Sequence, residues 1–176
     1  MGVATTSSLV RCKNVVWTPP SPGFYKVNCD AAIDVRGGRI GFGFIRDSTG
    51  SVMASSSQVM TGYFNAQAAE AIAILRGIHF STDCGSSPCY VESDAEVVVR
   101  WINESSHLDS MCGAILAEII LSSSEMIGLC FNYVPRQANQ VAHLLAKNAL
   151  LLTANRFWME EYPCCVTRMV QADMPV

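Results

Sequence analysis

Along residues 24–33, apolar and polar side chains alternate. Tyr25, Val27, Cys29 and Ala31 point one way; Lys26, Asn28 and Asp30 point the other. The same strand pattern returns at 40–46 and 51–60. Turns at Arg36-Gly37-Gly38 and Asp47-Ser48-Thr49-Gly50 separate the three runs and predict an antiparallel meander. Gly41 and Gly43 leave one face of the second strand open to close approach. The period then changes to that of a helix. Asn65 can cap a segment running to about residue 83, with Ala68, Ala71, Ile72, Leu75 and Ile78 as its buried stripe. A fourth strand is expected at 89–93, a helix opened by Asp94 at 95–103, and a polar link at 104–110. Another helix follows at 111–126, with Ile115, Leu116 and Ile119 inward. Residues 129–134 form a fifth strand stopped by Pro135. The last strong helix, 139–153, buries Val141, Leu144, Leu145 and Ala149. The element order is β-β-β-α-β-α-α-β-α, an α/β arrangement.

With 176 residues, the chain is long enough for one domain with modest extensions. The expected division is a flexible leader at 1–16, a domain at 17–155 entered through Trp17-Thr18-Pro19-Pro20-Ser21-Pro22-Gly23, and a C-terminal extension at 156–176. Half the residues are hydrophobic and 15% are charged, which excludes disorder for the body of the chain. The net charge of −3 means that no global positive field draws nucleic acid, so any such contact depends on local Lys and Arg placement. The eight cysteines fit no zinc spacing, and neither a secretory segment nor a membrane-length apolar run accompanies them. They read as reduced thiols of an intracellular protein, in nucleus or cytoplasm, with no membrane partner and a monomeric state expected.

Three carboxylates then change the picture. Asp30 interrupts a strand where an apolar residue would cost less, and a lone buried charge is expensive. Glu70 stands in Ala68-Ala69-Glu70-Ala71-Ile72-Ala73-Ile74-Leu75, almost free of other charge. Asp94 ends the fourth strand. If that strand lies beside the first, Asp30 and Asp94 are neighbours and the long helix can bring Glu70 to them. Such a cluster needs divalent cations between its members, and hard oxygen ligands suit Mg²⁺ or Mn²⁺. Two ions about 4 Å apart suit in-line displacement at a phosphodiester, one activating water and the other stabilising the leaving oxygen. Taken singly, Asp94 can equally be a helix N-cap, Glu70 a solvated helix position, and Glu92 a surface residue on the same strand face as Asp94.

The ordered motifs Trp17 to Asp30, Gly41-Phe42-Gly43-Phe44-Ile45-Arg46-Asp47-Ser48-Thr49-Gly50, Ala69-Glu70-Ala71, Val91-Glu92-Ser93-Asp94-Ala95 and Tyr133-Val134-Pro135-Arg136-Gln137-Ala138-Asn139-Gln140-Val141-Ala142-His143 resemble a ribonuclease H type 1 domain, of the kind found in plant proteins and non-LTR retroelements. The resemblance covers about residues 17–165. It implies the ribonuclease H-like fold: a five-stranded mixed sheet with helices on both faces. Asp30, Glu70 and Asp94 match the first three acidic ligands of the family, and the fourth, usually Asp, falls on His143. A neutral imidazole there removes a negative charge and favours softer metals than Mg²⁺; equally, His143 can be a helix-face residue that binds no metal. The loop before the last helix, where many relatives carry a His, offers Arg136, either a phosphate contact or an exposed cation. No Lys or Arg lies in 104–110, where some bacterial members insert a basic segment.

What the resemblance implies for function is a metal-dependent endonuclease that hydrolyses the RNA strand of RNA–DNA hybrids with two Mg²⁺ or Mn²⁺ ions. Asp30, Glu70, Asp94 and His143 would be catalytic and metal-binding. Asn28, Gln67, Ser93, Arg136 and Asn139 would be substrate-binding, with the hybrid recognised through shape and 2′-OH contacts. The alternative is a catalytically weak or inactive retroelement-derived domain that binds nucleic acid or a protein partner. A resolvase-like or transposase-like nuclease acting on DNA shares the same carboxylates.

Overall fold

A computed structural model describes residues 16–34, 39–41, 44–108 and 110–174. The expected turn at 36–38, Gly43 and residues 1–15 of the expected leader lie outside the described residues. The meander is present, and each of its three runs contributes two strand segments among the described residues. The first gives β1 (Tyr25–Cys29) and β2 (Ala32–Asp34), the second β3 (Arg39–Gly41) and β4 (Phe44–Arg46), the third β5 (Val52–Ser57) and β6 (Met60–Thr61). Beyond them come α1 (Ala66–Asp83), β7 (Cys89–Ser93), α2 (Glu96–Asn103), α3 (Gly113–Ser124), β8 (Cys130–Tyr133), α4 (Gln140–Ala149), β9 (Arg156–Met159) and α5 (Thr167–Asp173).

The main sheet has the order β8-β7-β1-β4-β5-β9; the outer segments of the three runs form a small sheet, β2-β3-β6. Strands β1, β7 and β8 are parallel, while β4, β5 and β9 continue antiparallel. The sheet is mixed, as expected, and among the described residues the C-terminal extension adds β9 beside β5. Two breaks have local causes. Asp30 sits at the β1–β2 break with its carboxylate buried. After β5, the Val59 N–H donates to Asn155 Oδ1 at 2.8 Å instead of to a neighbouring strand.

Alternation along β1 decides what covers each face. Val27 and Cys29 meet α1, where Gly77 permits the approach: a Cβ there would lie 2.2 Å from Cys29 Sγ. Helix α1 is buried on nearly all sides because α3 covers its back. Asn65 Oδ1 caps it, accepting from the Ala68 N–H at 2.8 Å. Lys26 and Asn28 face the other side, against Trp17 and the α4 end of the chain. Helices thus lie on both faces. On the second face Val141, Leu145, Val166 and Val170 form their own core, each side chain contributing about 1.5–3 kcal/mol by leaving water.

The extension is integral to this face. Arg46, 1% exposed, pairs with Asp173 at 2.7 Å and stacks 3.9 Å from the Trp17 ring centre. No disulfide links the described cysteines. Among the described residues no helix is long and apolar enough to cross a membrane.

Candidate metal centre

Parallel pairing of β1 with β7 sets Cys29 opposite Ser93. The next residue on each strand is an aspartate, so Asp30 and Asp94 emerge side by side at the C-terminal ends of adjacent strands. Glu70 arrives from the second turn of α1, its carboxylate held by the Ala31 backbone N–H. Ligand oxygens of Asp30, Glu70 and Asp94 all lie within 4.8 Å of one another. Helix α2 has Ala95 at its N-cap position and no side-chain cap, so the Asp94 carboxylate is not spent on capping.

The fourth expected ligand, His143 of α4, lies outside that three-carboxylate cluster. Its Nδ1 is 2.7 Å from Asp30 Oδ2. Arg136, in a single 3₁₀ turn before α4, donates Nε to Asp94 Oδ2, and its Nη1 lies 2.7 and 3.2 Å from the two ring nitrogens of His143. Nδ1 is thus the ring atom that faces both Asp30 Oδ2 and, more closely than Nε2 does, Arg136 Nη1; which of these contacts it donates to or accepts from is set by the ring's tautomer.

Three of the expected substrate contacts are buried beside the carboxylates. Asn28 and Asn139 are each 1% exposed and Ser93 is fully buried. Asn28 Oδ1 accepts from Trp17 Nε1 at 3.0 Å, and its Nδ2 donates to Glu92 at 3.0 Å and to Asn139 Oδ1 at 3.2 Å. Asn139 Nδ2 donates in turn to the Cys29 carbonyl at 2.8 Å and to Asp94 Oδ1 at 3.3 Å. Ser93 Oγ accepts from the Ala95 N–H at 3.1 Å. These groups tie the two strand ends together, and their polar atoms are engaged inside the protein. Gln67 and Arg136, by contrast, line an open pocket of about 220 Å³ together with Glu70, Asp94 and Glu96.

Glu92 also departs from its expected surface position. It is buried and paired with Lys26 at 2.7 Å, and Lys26 donates further to the Thr18 carbonyl at 2.6 Å. The signal was present in the sequence: Lys26, Asn28 and Asp30 share a strand face, and Glu92 shares one with Asp94. Only the register, with Asn28 opposite Glu92, shows that the two faces are continuous.

The electrostatics are those of a site short of positive charge. Burial, then the negative charges of Glu70 and Asp94, push the Asp30 carboxyl up to about 9, against the pull of Arg136. Glu70 is pushed up to about 8 by burial and Asp94, opposed by the Ala31 N–H and Arg136. His143 is held below its ordinary value by burial first, then by Arg136 and Lys147. Two buried oxygens, Asp30 Oδ1 and Glu70 Oε2, have no hydrogen-bond partner. Three hard oxygen donors within 4.8 Å, two with unpartnered buried atoms, fit a divalent cation of the Mg²⁺ or Mn²⁺ kind.

Solved structures that share this fold include ribonucleases H. The chain superposes on RNase H1 of Halobacterium salinarum with a TM-score of 0.66 at 18% identity, over 73% of this chain and 98% of that one. For the N-terminal RNase H domain of a Mycobacterium tuberculosis protein the TM-score is 0.63 at 20% identity, covering 72% and 92%. For LC11-RNase H1 from compost, solved in complex with an RNA/DNA hybrid, it is 0.62 at 22% identity, covering 70% and 94%. The fold is therefore ribonuclease H-like. No curated protein matches the chain in sequence. A family model does: residues 28–149 match the reverse transcriptase-like family, and the chain belongs to it.

Proposed function

We propose that the protein is a metal-dependent endonuclease that hydrolyses the RNA strand of RNA–DNA hybrids. The observation that carries this reading is the convergence of Asp30, Glu70 and Asp94 within 4.8 Å, with Asp30 Oδ1 and Glu70 Oε2 buried and unpartnered. Those three carboxylates would hold two Mg²⁺ or Mn²⁺ ions, with His143 at the edge of the site against Asp30. Bound ions would supply an activated water and charge stabilisation for the leaving oxygen. Asn139 keeps Asp94 in place from behind, and Gln67 and Arg136 present donors to a phosphate or ribose entering the pocket they line. A hybrid substrate accords with LC11-RNase H1, a structural neighbour solved on an RNA/DNA hybrid. The test is a cleavage assay on hybrid, duplex DNA and duplex RNA, with Mg²⁺ and Mn²⁺ in parallel. Cleavage of the RNA strand in the hybrid is expected; preferential cleavage of duplex DNA would replace this reading with the resolvase-like one.

A second reading, a domain that binds nucleic acid or a protein partner without catalysis, draws on one specific arrangement. Arg136 pairs with Asp94, and His143 with Asp30, so two of the three carboxylates have protein partners of their own. A folded sample that binds hybrid and cleaves it with neither metal supports that reading.

A further inference from the structure

We infer that Arg136 is a built-in counter-cation of the carboxylate cluster, which a divalent ion must displace from Asp94 in order to bind. The inference rests on the metal-site reading above, but not on the identity of the substrate. Three observations lead to it. Arg136 Nε donates to Asp94 Oδ2, one of the oxygens an incoming ion would use, while Nη1 reaches His143 at the Asp30 end of the site. One guanidinium therefore spans the mouth of the cluster. Second, the two members of the pair differ in freedom. The Asp94 side chain is 6% exposed and anchored by Asn139, whereas the Arg136 side chain is 49% exposed on a short turn. The carboxylate stays and the arginine is the group that can leave. Third, the guanidinium does not complete the site. Asp30 Oδ1 and Glu70 Oε2 are buried with no hydrogen-bond partner among the described residues, so demand for a cation remains although Arg136 is close by.

A divalent ion on these oxygens would face a guanidinium a few ångströms away. Like charges at that range repel strongly in a partly buried site. Ion entry and arginine release are then one exchange, and the metal-free protein resists loading. Linkage gives the consequence. Any anion that draws Arg136 outward, such as a phosphate of the substrate backbone, strengthens ion binding by the same factor by which the ion frees Arg136 for that anion. The protein would load metal and phosphodiester together rather than in turn.

The experiment is calorimetric titration of Mn²⁺ into the substrate-free protein, comparing the native chain with Arg136→Gln and Arg136→Lys. It is paired with NMR of the Arg136 Nε–H signal during Mg²⁺ addition. Removing a half-exposed ion pair should tighten Mn²⁺ binding roughly fivefold in Arg136→Gln. Arg136→Lys should lie between that variant and the native chain, and the native Nε–H signal should shift as Mg²⁺ saturates. Equal or weaker Mn²⁺ binding in Arg136→Gln, an unmoved Nε–H signal at saturation, or no ion bound to either protein overturns the exchange. Hybrid cleavage by the same samples separates the two readings. Tighter Mn²⁺ binding in Arg136→Gln without cleavage by any sample leaves the exchange standing and removes the nuclease; cleavage with unchanged Mn²⁺ affinity does the reverse.

Discussion

His143 Nδ1 and Asp30 Oδ2 face each other at 2.7 Å across the junction of α4 with the end of β1. Asp30 is wholly buried, and its other oxygen, Oδ1, has no partner. The histidine therefore serves one oxygen of the central carboxylate and leaves the second for whatever cation the site takes. A ring so placed restrains Asp30 without adding negative charge, and burial first, then the neighbouring carboxylates, raises the affinity of Asp30 and Glu70 for protons.

Replacing His143 by Asp tests what that neutral ring costs. The variant adds a fourth carboxylate beside Asp30, so the hard cation Mg²⁺ gains an anionic partner. Cleavage of hybrid in Mg²⁺ should rise about tenfold relative to the rate in Mn²⁺, the scale on which groups around a metal tune it. Without metal, the extra like charge should lower the thermal midpoint. Parallel initial rates in the two metals and a melting curve in EDTA measure both effects.

Asp94→Asn should abolish hybrid cleavage while leaving the fold intact. The side chain keeps its shape and its contact with Asn139, and α2 does not use it as a cap. The lost ion pair has a half-exposed partner, Arg136, so its contribution to stability is only about 0–1 kcal/mol. Circular dichroism and a denaturant midpoint close to those of the native chain, with no cleavage in Mg²⁺ or Mn²⁺, are expected. Undiminished cleavage would sink the assignment.

The carboxylates also fix a pH dependence. Asp30 and Glu70 titrate at about 9 and about 8 in the folded protein, against roughly 4 for free side chains. The folded state thus binds their protons more tightly than the unfolded state does. The stability they contribute is complete below about pH 4 and is lost as pH rises through the 8–9 range. Thermal midpoints in EDTA should fall between pH 5 and pH 9. Added Mn²⁺ should raise the midpoint more at pH 8.5 than at pH 5.5, because the ion replaces the departing protons. A stabilisation by Mn²⁺ that is larger at pH 5.5 would contradict this.

Why some of this was legible in the sequence, and some not, follows from what each signal depends on. Asp30, Glu70 and Asp94 stood out because each breaks a local rule, a charge in an apolar strand or helix or at a strand end, and local rules need no partner to be seen. The helix from Asn65 likewise announced itself through its cap and its apolar stripe. Asn28, Ser93 and Asn139 read as substrate contacts or equally as caps or turn formers, because short polar residues near a site look the same whether they face a ligand or one another. Only the pairing of Asn28 with Glu92 across β1 and β7, and the packing of Asn139 behind them, decides between the two. Strand β9 escaped for a different reason. Residues 156–159 have no clear alternation, and β9 is held by its register with β5 and by contacts such as the Ser55 hydroxyl donating to the Glu161 carbonyl.

The buried pair Lys26–Glu92 offers the sharpest test of that hidden network. Both side chains are under one-tenth exposed and 2.7 Å apart, and Glu92 also accepts from Asn28, which orients the Asn139 amide toward Asp94. Glu92→Leu leaves the Lys26 ammonium buried without its counter-ion, at a cost of about 3–5 kcal/mol. The double variant Lys26→Met, Glu92→Leu removes both charges while keeping the apolar volume, and should recover most of that loss, because a buried ion pair is worth little over well-packed apolar groups. Denaturant midpoints for the native chain, the two single variants and the double variant close the cycle. Recovery of stability should not bring recovery of the site. With its Glu92 acceptor gone, Asn28 is held by Trp17 and Asn139 alone, which loosens the chain of amides that leads to Asp94. The double variant should remain folded yet bind Mn²⁺ about tenfold more weakly than the native chain. Native Mn²⁺ affinity in the stable double variant would show that the network holds the fold together and does nothing for the carboxylates.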